Sequence, residues 1–524
     1  MSYLTNPFAV PTPPGAEPTG AAAPVQTQPA QRQPSAIAPD HDGDDSSSEP
    51  GPAARAPRQH REQQHSPGAL PTQASAPDAT GHPGETPNAA APEEAAETPE
   101  SPGVPEGSET GAEPDSVAGA GEAEAEANPP AIPLTAPRDG VPEVVQEEHA
   151  LMAAAQALRA GTGPLAVDAE RASGYRYGQR AYLVQLRREG AGTWLIDPVG
   201  CPDLSPISEA TADVEWILHA ATQDLPCLRE VGMVPHSLFD TELGARLAGL
   251  PRVGLAAVIE HYLGYSLAKE HSAVDWSTRP LPEPWLRYAT LDVELLAELR
   301  EATREDLARQ GKLEWALEEF AALTHFSGPP VRVDPWRRTS GLHKMRSRRA
   351  IAVIRELWYA RDDIARQRDI SPGRILPDAT LLAIGQATPS TPEQLTKVST
   401  QKAVRRHQRE WLAAVQRAAE LPEEQLPVTS LPSDGPPPQR AWADRDPIAA
   451  ARLTQARAEL MQFAEDRHVP VENLLTPDLL RRVLWNPPGT DEAVIDTALQ
   501  AGGARAWQRG IAAPIIARAC RDHA

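Results

Sequence analysis

Apolar positions are spread unevenly along this chain. The first 140 residues are nearly free of large apolar side chains, whereas from Glu143 onward apolar runs return at helix or strand spacing. Val144, Val145, Leu151, Ala155 and Leu158 predict a short helix from Glu143 to Arg159, ended by Gly161 and Gly163. Three apolar runs follow on short links: Pro164 to Glu170, Arg180 to Leu186 and Thr193 to Asp197. The last two are separated by the turn-prone Glu189-Gly190-Ala191-Gly192. Strands in such quick succession predict an antiparallel meander. Val214 to His219 then reads as a strand running into Ala220-Ala221-Thr222-Gln223-Asp224. Leu225, Leu228 and Val231 recur at helical spacing, with Pro226 tolerated in the first turn. Helices are expected over 241–248 and 255–263, and Leu286, Ala289, Val293, Leu296 and Leu299 mark another.

Beyond about residue 337 only helical periodicity remains. Ile351, Ile354, Leu357, Trp358 and Ile364 form the apolar stripe of a long helix, broken at Ser371-Pro372-Gly373 and followed by a helix through Leu381-Leu382. Thr391-Pro392-Glu393 is a helix start, with Thr as N-cap and Pro at the first helical position. A last helix, from Lys402 to about Ala419, closes a compact all-helical unit. After a Pro-rich stretch, Asp446-Pro447 starts a helix to about Arg467, and Val469 to Leu480 repeats the order of a Pro-containing break and a Leu-Leu helix. The expected divisions are a tail (1–140), an α/β domain (141–327), a helical domain (337–420), a linker (421–445) and a second helical domain (446–524).

Composition sharpens this division. Residues 1–140 hold 26 of the 56 prolines, no Lys and no Trp, and carry 21 Asp and Glu against 5 Arg, a net −16 of the chain's −22. Such a segment cannot bury enough apolar surface to offset its ordering entropy, so it is expected to be disordered, an acidic and solubilising extension. Residues 337–374 have the opposite sign, with 11 Lys or Arg against 4 acidic residues. Their arginines, among them Arg349, Arg355, Arg361 and Arg374, suit a phosphate backbone, which attracts cations without regard to sequence. Cys201, Cys227 and Cys520 are too few and scattered for a disulfide framework or a cysteine-rich zinc site. Met1 to Pro7 lacks the basic and apolar regions of a secretory signal, and no apolar run reaches the length of a membrane span. A soluble, cytoplasmic protein is expected, with no membrane partner, in a monomeric state.

The candidate chemistry is carboxylate chemistry. Asp168 and Glu170 stand two apart at the end of the first strand and so share one face of it. Asp224 falls at a helix N-terminus, where capping alone would account for it. Tyr288 and Asp292, at i and i+4 on a helix, stand together and could simply share a hydrogen bond. His219 reads as a neutral histidine satisfied at a strand end. Taken singly, each is weak.

Together, Asp168-x-Glu170, Asp224 after a strand ending in His, and Tyr288-x-x-x-Asp292 resemble the motifs of the ribonuclease D family of four-carboxylate 3′–5′ exonucleases, the subclass whose third motif contains Tyr. Leu183-Val184-Gln185-Leu186, His219-Ala220-Ala221, Phe239-Asp240-Thr241 and Asp275-Trp276-Ser277-Thr278-Arg279-Pro280-Leu281 extend the likeness over residues 145–320. One departure is Ala169, often Thr in the family; its side chain is expected on the opposite strand face. Leu357 to Ala365, with Ile375-Leu376-Pro377-Asp378, resembles an HRDC domain, the helical module shared by RecQ-type helicases and ribonuclease D. The last domain could be a second, degenerate copy.

The resemblance implies an α/β ribonuclease H-like exonuclease domain, with a mixed sheet flanked by helices, followed by all-α HRDC-type domains. It implies a metal-dependent exoribonuclease acting on RNA 3′ ends, including structured RNA such as tRNA precursors, and releasing nucleoside 5′-monophosphates. In-line phosphodiester cleavage is served by two divalent cations about 3.5–4 Å apart. Hard ions such as Mg2+ or Mn2+ prefer carboxylates, and Asp168, Glu170, Asp224 and Asp292 would hold them. Tyr288 would orient the attacking water, a phenol being a poor base at neutral pH unless cations lower its pKa. Lys269 and Arg279 could neutralise phosphates. A DNA exonuclease would use the same four acids, and a non-catalytic RNA-binding protein would be expected to have lost one.

Overall fold

The computed structural model describes residues 130–267, 273–431 and 435–524. Residues 1–129, the bulk of the expected disordered tail, lie outside these, as does the candidate Lys269. Over residues 130–140 the expectation of disorder is corrected. The strand β1 (Ile132–Leu134) pairs in parallel with residues 265–267, and Arg138 Nη1 lies 2.7 Å from Glu298. Leu134 supplies an apolar contact there, packing against the cluster that contains Val258 and Ile259.

The first domain continues with β2 (Val144–Val145), α1 (Glu148–Ala160), β3 (Thr162–Arg171), β4 (Ala181–Glu189), β5 (Gly192–Ile196), α2 (Ser205–Ala210), β6 (Glu215–Leu218), α3 (Leu225–Glu230) and β7 (Ser237–Asp240). It ends with α4 (Thr241–Ala248), α5 (Leu255–Leu263), β8 (Tyr265–Leu267), α6 (Glu283–Glu294), α7 (Leu296–Arg309) and α8 (Leu313–Leu323). Six strands form one mixed sheet in the order β2-β5-β4-β3-β6-β7. The meander β3-β4-β5 is antiparallel, as the spacing predicts, and the β2–β5, β3–β6 and β6–β7 pairs are parallel.

In this domain two expectations from periodicity need correction. The predicted helix from Glu143 starts only at Glu148, because the β-branched pair Val144 and Val145 instead extends the sheet edge against Leu195 and Ile196. The apolar series from Leu286 to Leu299 belongs to two helices that break at Leu295, so that Leu295 and Leu296 are both buried.

Strand alternation sorts the faces of β3. Leu165, Val167 and Ala169 enter the core with Leu151, Leu158, Val184 and Ile207. Asp168 and Glu170 therefore face the other way, toward α6, and Ala169, 4% exposed, points to the opposite face as expected.

The next region is all helical. Arg348–Arg368, Pro372–Ile375, Asp378–Ala387, Pro392–Val398, Lys402–Arg406 and Gln408–Glu420 enclose Ile351, Ile354, Leu357, Ile384 and Trp411. Thr391 accepts the Gln394 N–H as N-cap, while the expected helix from Lys402 to Ala419 is interrupted at His407. Gly385 lets two of these helices touch: a Cβ there would lie 2.4 Å from Ile354 Cγ1.

The expected linker is packed at both ends. Arg348 binds the carbonyls of Glu423, Leu426 and Pro427, while Trp442 is buried 4.8 Å from Trp485 with its indole N–H on the Pro437 carbonyl. The last domain docks on the first: Trp507 stacks on Trp315 at 4.9 Å and donates to Glu319, and Lys312 Nζ reaches the carbonyls of Leu247 and His468. All three cysteines are free and buried, and no described helix is long and apolar enough to cross a membrane.

A chain beginning at residue 141 is expected to melt a few degrees below one beginning at residue 130, since it loses β1, Leu134 burial worth about 1–2 kcal/mol and the Arg138 contacts. Thermal unfolding of the two chains compares them directly.

Candidate active site

Sheet register assembles the acidic residues. Asp168 and Glu170 leave β3 on the α6 side, and β3 runs parallel to β6, with Leu165 opposite Trp216 and Ala166 opposite Ile217. The turn after β6 therefore lies beside the carboxylate-bearing end of β3, and it carries Asp224. Helix α6 crosses the same face and presents Tyr288 and Asp292. One oxygen each of Asp168, Glu170 and Asp292 lies within 4.8 Å of the others. Asp224 stands next to this group, paired through Oδ1 with Arg171 Nη2 at 3.3 Å. Although Asp224 occupies the N-cap position of α3, its side chain caps nothing, so the local explanation for this residue fails.

Asp240 explains how the Asp224 turn is held. Its carboxylate accepts the N–H groups of Ala220 at 3.1 Å, Ala221 at 2.8 Å, Glu242 at 2.9 Å and Leu243 at 3.1 Å. One side chain thus caps α4 and anchors the turn after β6, where Ala220 adopts φ 62°, a conformation that is costly without Gly. His219 Nδ1 lies 2.9 Å from Thr241 Oγ1, and burial pushes its pKa down to about 4. It is a neutral histidine at a strand end, satisfied at Nδ1 only, since its buried Nε2 has no hydrogen-bond partner.

Electrostatics in the cleft are dominated by burial and then by mutual repulsion. Burial raises the pKa of Asp168, against the Ala169 N–H and Arg171. Glu170 is raised well above its ordinary value by burial, then by Asp168, Asp292 and Asp224. Asp224 and Asp292 are both raised well above theirs by burial and by Asp168; Arg171 relieves the first and the Tyr288 hydroxyl the second. Tyr288 itself is raised by burial and by Asp292, Glu170 and Asp168, so it holds its proton and hydrogen-bonds to Asp292. Hard oxygen donors, crowded and short of compensating positive charge, are the donor set of a divalent cation.

The phosphate-binding candidates fare differently. All five Arg279 N–H groups are engaged: Nε and Nη2 grip Asp197 at 2.7 Å each, and Nη1 and Nη2 also donate to the carbonyls of Trp276, Thr278 and Tyr182. Arg279 fastens its loop to the end of β5 and has no donor left for phosphate. Arg361 is buried on the Leu376 carbonyl and the Asp378 carboxylate. Arg349 binds the carbonyls of Ala418 and Leu421 at a helix end. Arg355 pairs with Glu356, and Arg374 donates to the Gly174 carbonyl while lying 4.1 Å over the Tyr175 ring. These arginines hold the structure together.

Sequence reasoning gave no individual role to three residues, two of which, Gln185 and Trp276, lie within the quoted motif segments. Gln185 lies directly across from Asp168 on β4, fully buried, with neither amide atom hydrogen-bonded; a Gln inside an apolar strand was the signal. Trp276, also fully buried, packs 6.5 Å behind Tyr288 and 5.6 Å from Trp285, fixing the phenol's place. Arg171 could have been noticed as a cation adjoining Asp-x-Glu.

Known proteins bear on this geometry. Residues 142–308 match the family model described as 3′-5′ exonuclease, and residues 350–415 match the HRDC domain. Residues 435–520 match the 3′ to 5′ exonuclease C-terminal domain, a different model from the HRDC copy expected there. Ribonuclease D of Escherichia coli is 30% identical over 295 residues, 55% of this chain and 78% of that one. Ribonuclease D of Nitrobacter hamburgensis is 28% identical over 320 residues, 59% and 76% of the two chains. Among solved structures, a protein from Bifidobacterium adolescentis is 39% identical with a TM-score of 0.68, covering 75% of this chain and 100% of that one. Escherichia coli RNase D, described as an exoribonuclease involved in structured RNA processing, is 25% identical with a TM-score of 0.55, covering 73% and 99%. With its acidic cleft, mixed sheet and helical HRDC region in the same order, the chain belongs to the ribonuclease D family of 3′–5′ exoribonucleases.

Proposed function

We propose that this protein removes nucleotides one at a time from RNA 3′ ends as nucleoside 5′-monophosphates, using two divalent cations, Mg2+ or Mn2+, and that tRNA precursors are among its substrates. The gathering of Asp168, Glu170 and Asp292 oxygens within 4.8 Å carries this reading, with Asp224 alongside. The first three would hold one cation, and Asp224, with Asp168, the other. When bound, such ions stabilise charge on the attacking and leaving oxygens and lower the pKa of a coordinated water.

The chain's own groups do the rest. Tyr288, protonated and fixed against Trp276, offers its hydroxyl beside Asp292, where it can orient a water for attack. Asp240 holds the turn that brings Asp224 to the cleft, and β3 supplies Asp168 and Glu170 from a strand paired on both sides. The tRNA substrate is supported by the Escherichia coli relative, whose role is in structured RNA processing.

Asp168→Asn is expected to lower kcat by at least about 10²-fold, since it removes a ligand of both positions. RNA binding should persist, and relief of carboxylate repulsion should leave the metal-free melting temperature equal or higher. Equal activity of mutant and wild type would refute the site. Tyr288→Phe is expected to cost about 10²-fold in kcat with little change in KM, read from steady-state hydrolysis of a labelled RNA. Matched RNA and DNA oligonucleotides labelled at the 5′ end, followed with product analysis, check substrate and polarity together. Faster loss of the DNA, or products other than 5′-mononucleotides, would overturn the proposal.

A further inference from the structure

We propose that Arg171 competes with a divalent cation for Asp224, so that the position among Asp168, Glu170 and Asp292 fills first and the position using Asp224 fills second and more weakly. The inference rests on the two-metal reading above. Arg171 directly follows Glu170 at the end of β3, where the pairing shifts register: Glu170 pairs with Leu183 but Arg171 with Ala181, leaving Tyr182 as an extra residue on β4. At this strand end the long guanidinium side chain reaches the carbonyl of Gln223 and, at 3.3 Å, Oδ1 of Asp224.

The pair is well placed to compete. Its side chains are only 24% and 5% exposed, so solvent and salt screen their attraction weakly. The other three acids already form a group that could take one ion without Asp224. An ion on Asp224 has to displace a bound cation; one on the other three does not. A purely structural Arg171, pinning the turn at Gln223, would have no such effect on metal affinity.

Isothermal titration of the full-length protein with Mn2+ alone, without RNA, distinguishes these roles. Wild type should show a tight and a weak class of site, the weak class disappearing in Asp224→Asn. Arg171→Gln should tighten the weak class at least about tenfold and the tight class, which feels Arg171 only at a distance, by clearly less. Arg171→Lys, with a shorter reach and a point charge, should fall between the two and serves as a second measure if the Gln variant folds poorly. An unchanged or weakened second class in both variants would overturn the competition. If Asp168→Asn leaves the wild-type titration unaltered, the two-metal reading itself falls, a result separable from any behaviour of Arg171.

Discussion

Repulsion among carboxylates in a half-buried cleft is the constraint the first domain is built against. Asp168, Glu170 and Asp292 bring oxygens within 4.8 Å of one another, and burial and mutual repulsion together favour their protonated forms. Left to flexible loops, such groups would swing apart into water. Here two of them rise from β3, which is paired with β4 on one side and β6 on the other, and the third rises from α6. That helix is wedged by Trp276 and Ala289 against Leu183 and Leu195 of the sheet. The bidentate Asp197–Arg279 pair in turn fastens the Trp276 loop to the end of β5. Rigidity at each level is what allows like charges to be held together.

The same reasoning changes the meaning of the basic stretch at residues 337–374. A net +7 in an acidic chain suggests a nucleic-acid surface, but several of its arginines neutralise helix ends and carboxylates within the helical domain. Others reach the loop between β3 and β4. Arg374 covers Tyr175, the Ser371 N–H binds the Tyr175 carbonyl, and the Tyr177 hydroxyl lies 3.1 Å from both oxygens of Asp362. That loop begins immediately after Glu170 and Arg171. The helical domain therefore holds one end of the strand on which the acidic pair sits, which ties its packing to the geometry of the cleft.

Much of this was legible in the chain. Period-two runs gave the meander, caps such as Thr391 gave helix starts, and the four acids with Tyr288 stood out by order and residue type. What could not be read was whatever depends on partners distant in sequence. Val144 and Val145 favour a strand only because β5 offers them an edge. Arg171 meets Asp224 only because β6 lies parallel beside β3. Arg279 looks like a phosphate ligand until Asp197, 82 residues away, is seen to occupy it. Charge alone says that a guanidinium needs an anion; only the fold says which one.

Tyr288 illustrates the limit of assigning chemistry to single groups. Burial, and then the three carboxylates beside it, push its phenol above its ordinary pKa, so as folded it donates a hydrogen bond and does not accept a proton. Positive charge brought into the cleft would act in the opposite direction on the phenol and on Glu170, Asp224 and Asp292 at once, because each of these is displaced by burial and by neighbouring carboxylates. Arg171 supplies one such charge, in contact with Asp224 and felt at a distance by Asp168 and Glu170. The cleft is thus asymmetric before any ion or substrate arrives: Asp224 has a cation against it, whereas Asp292 has the neutral Tyr288 hydroxyl. It is beside Asp292 that the group best placed to handle water is found.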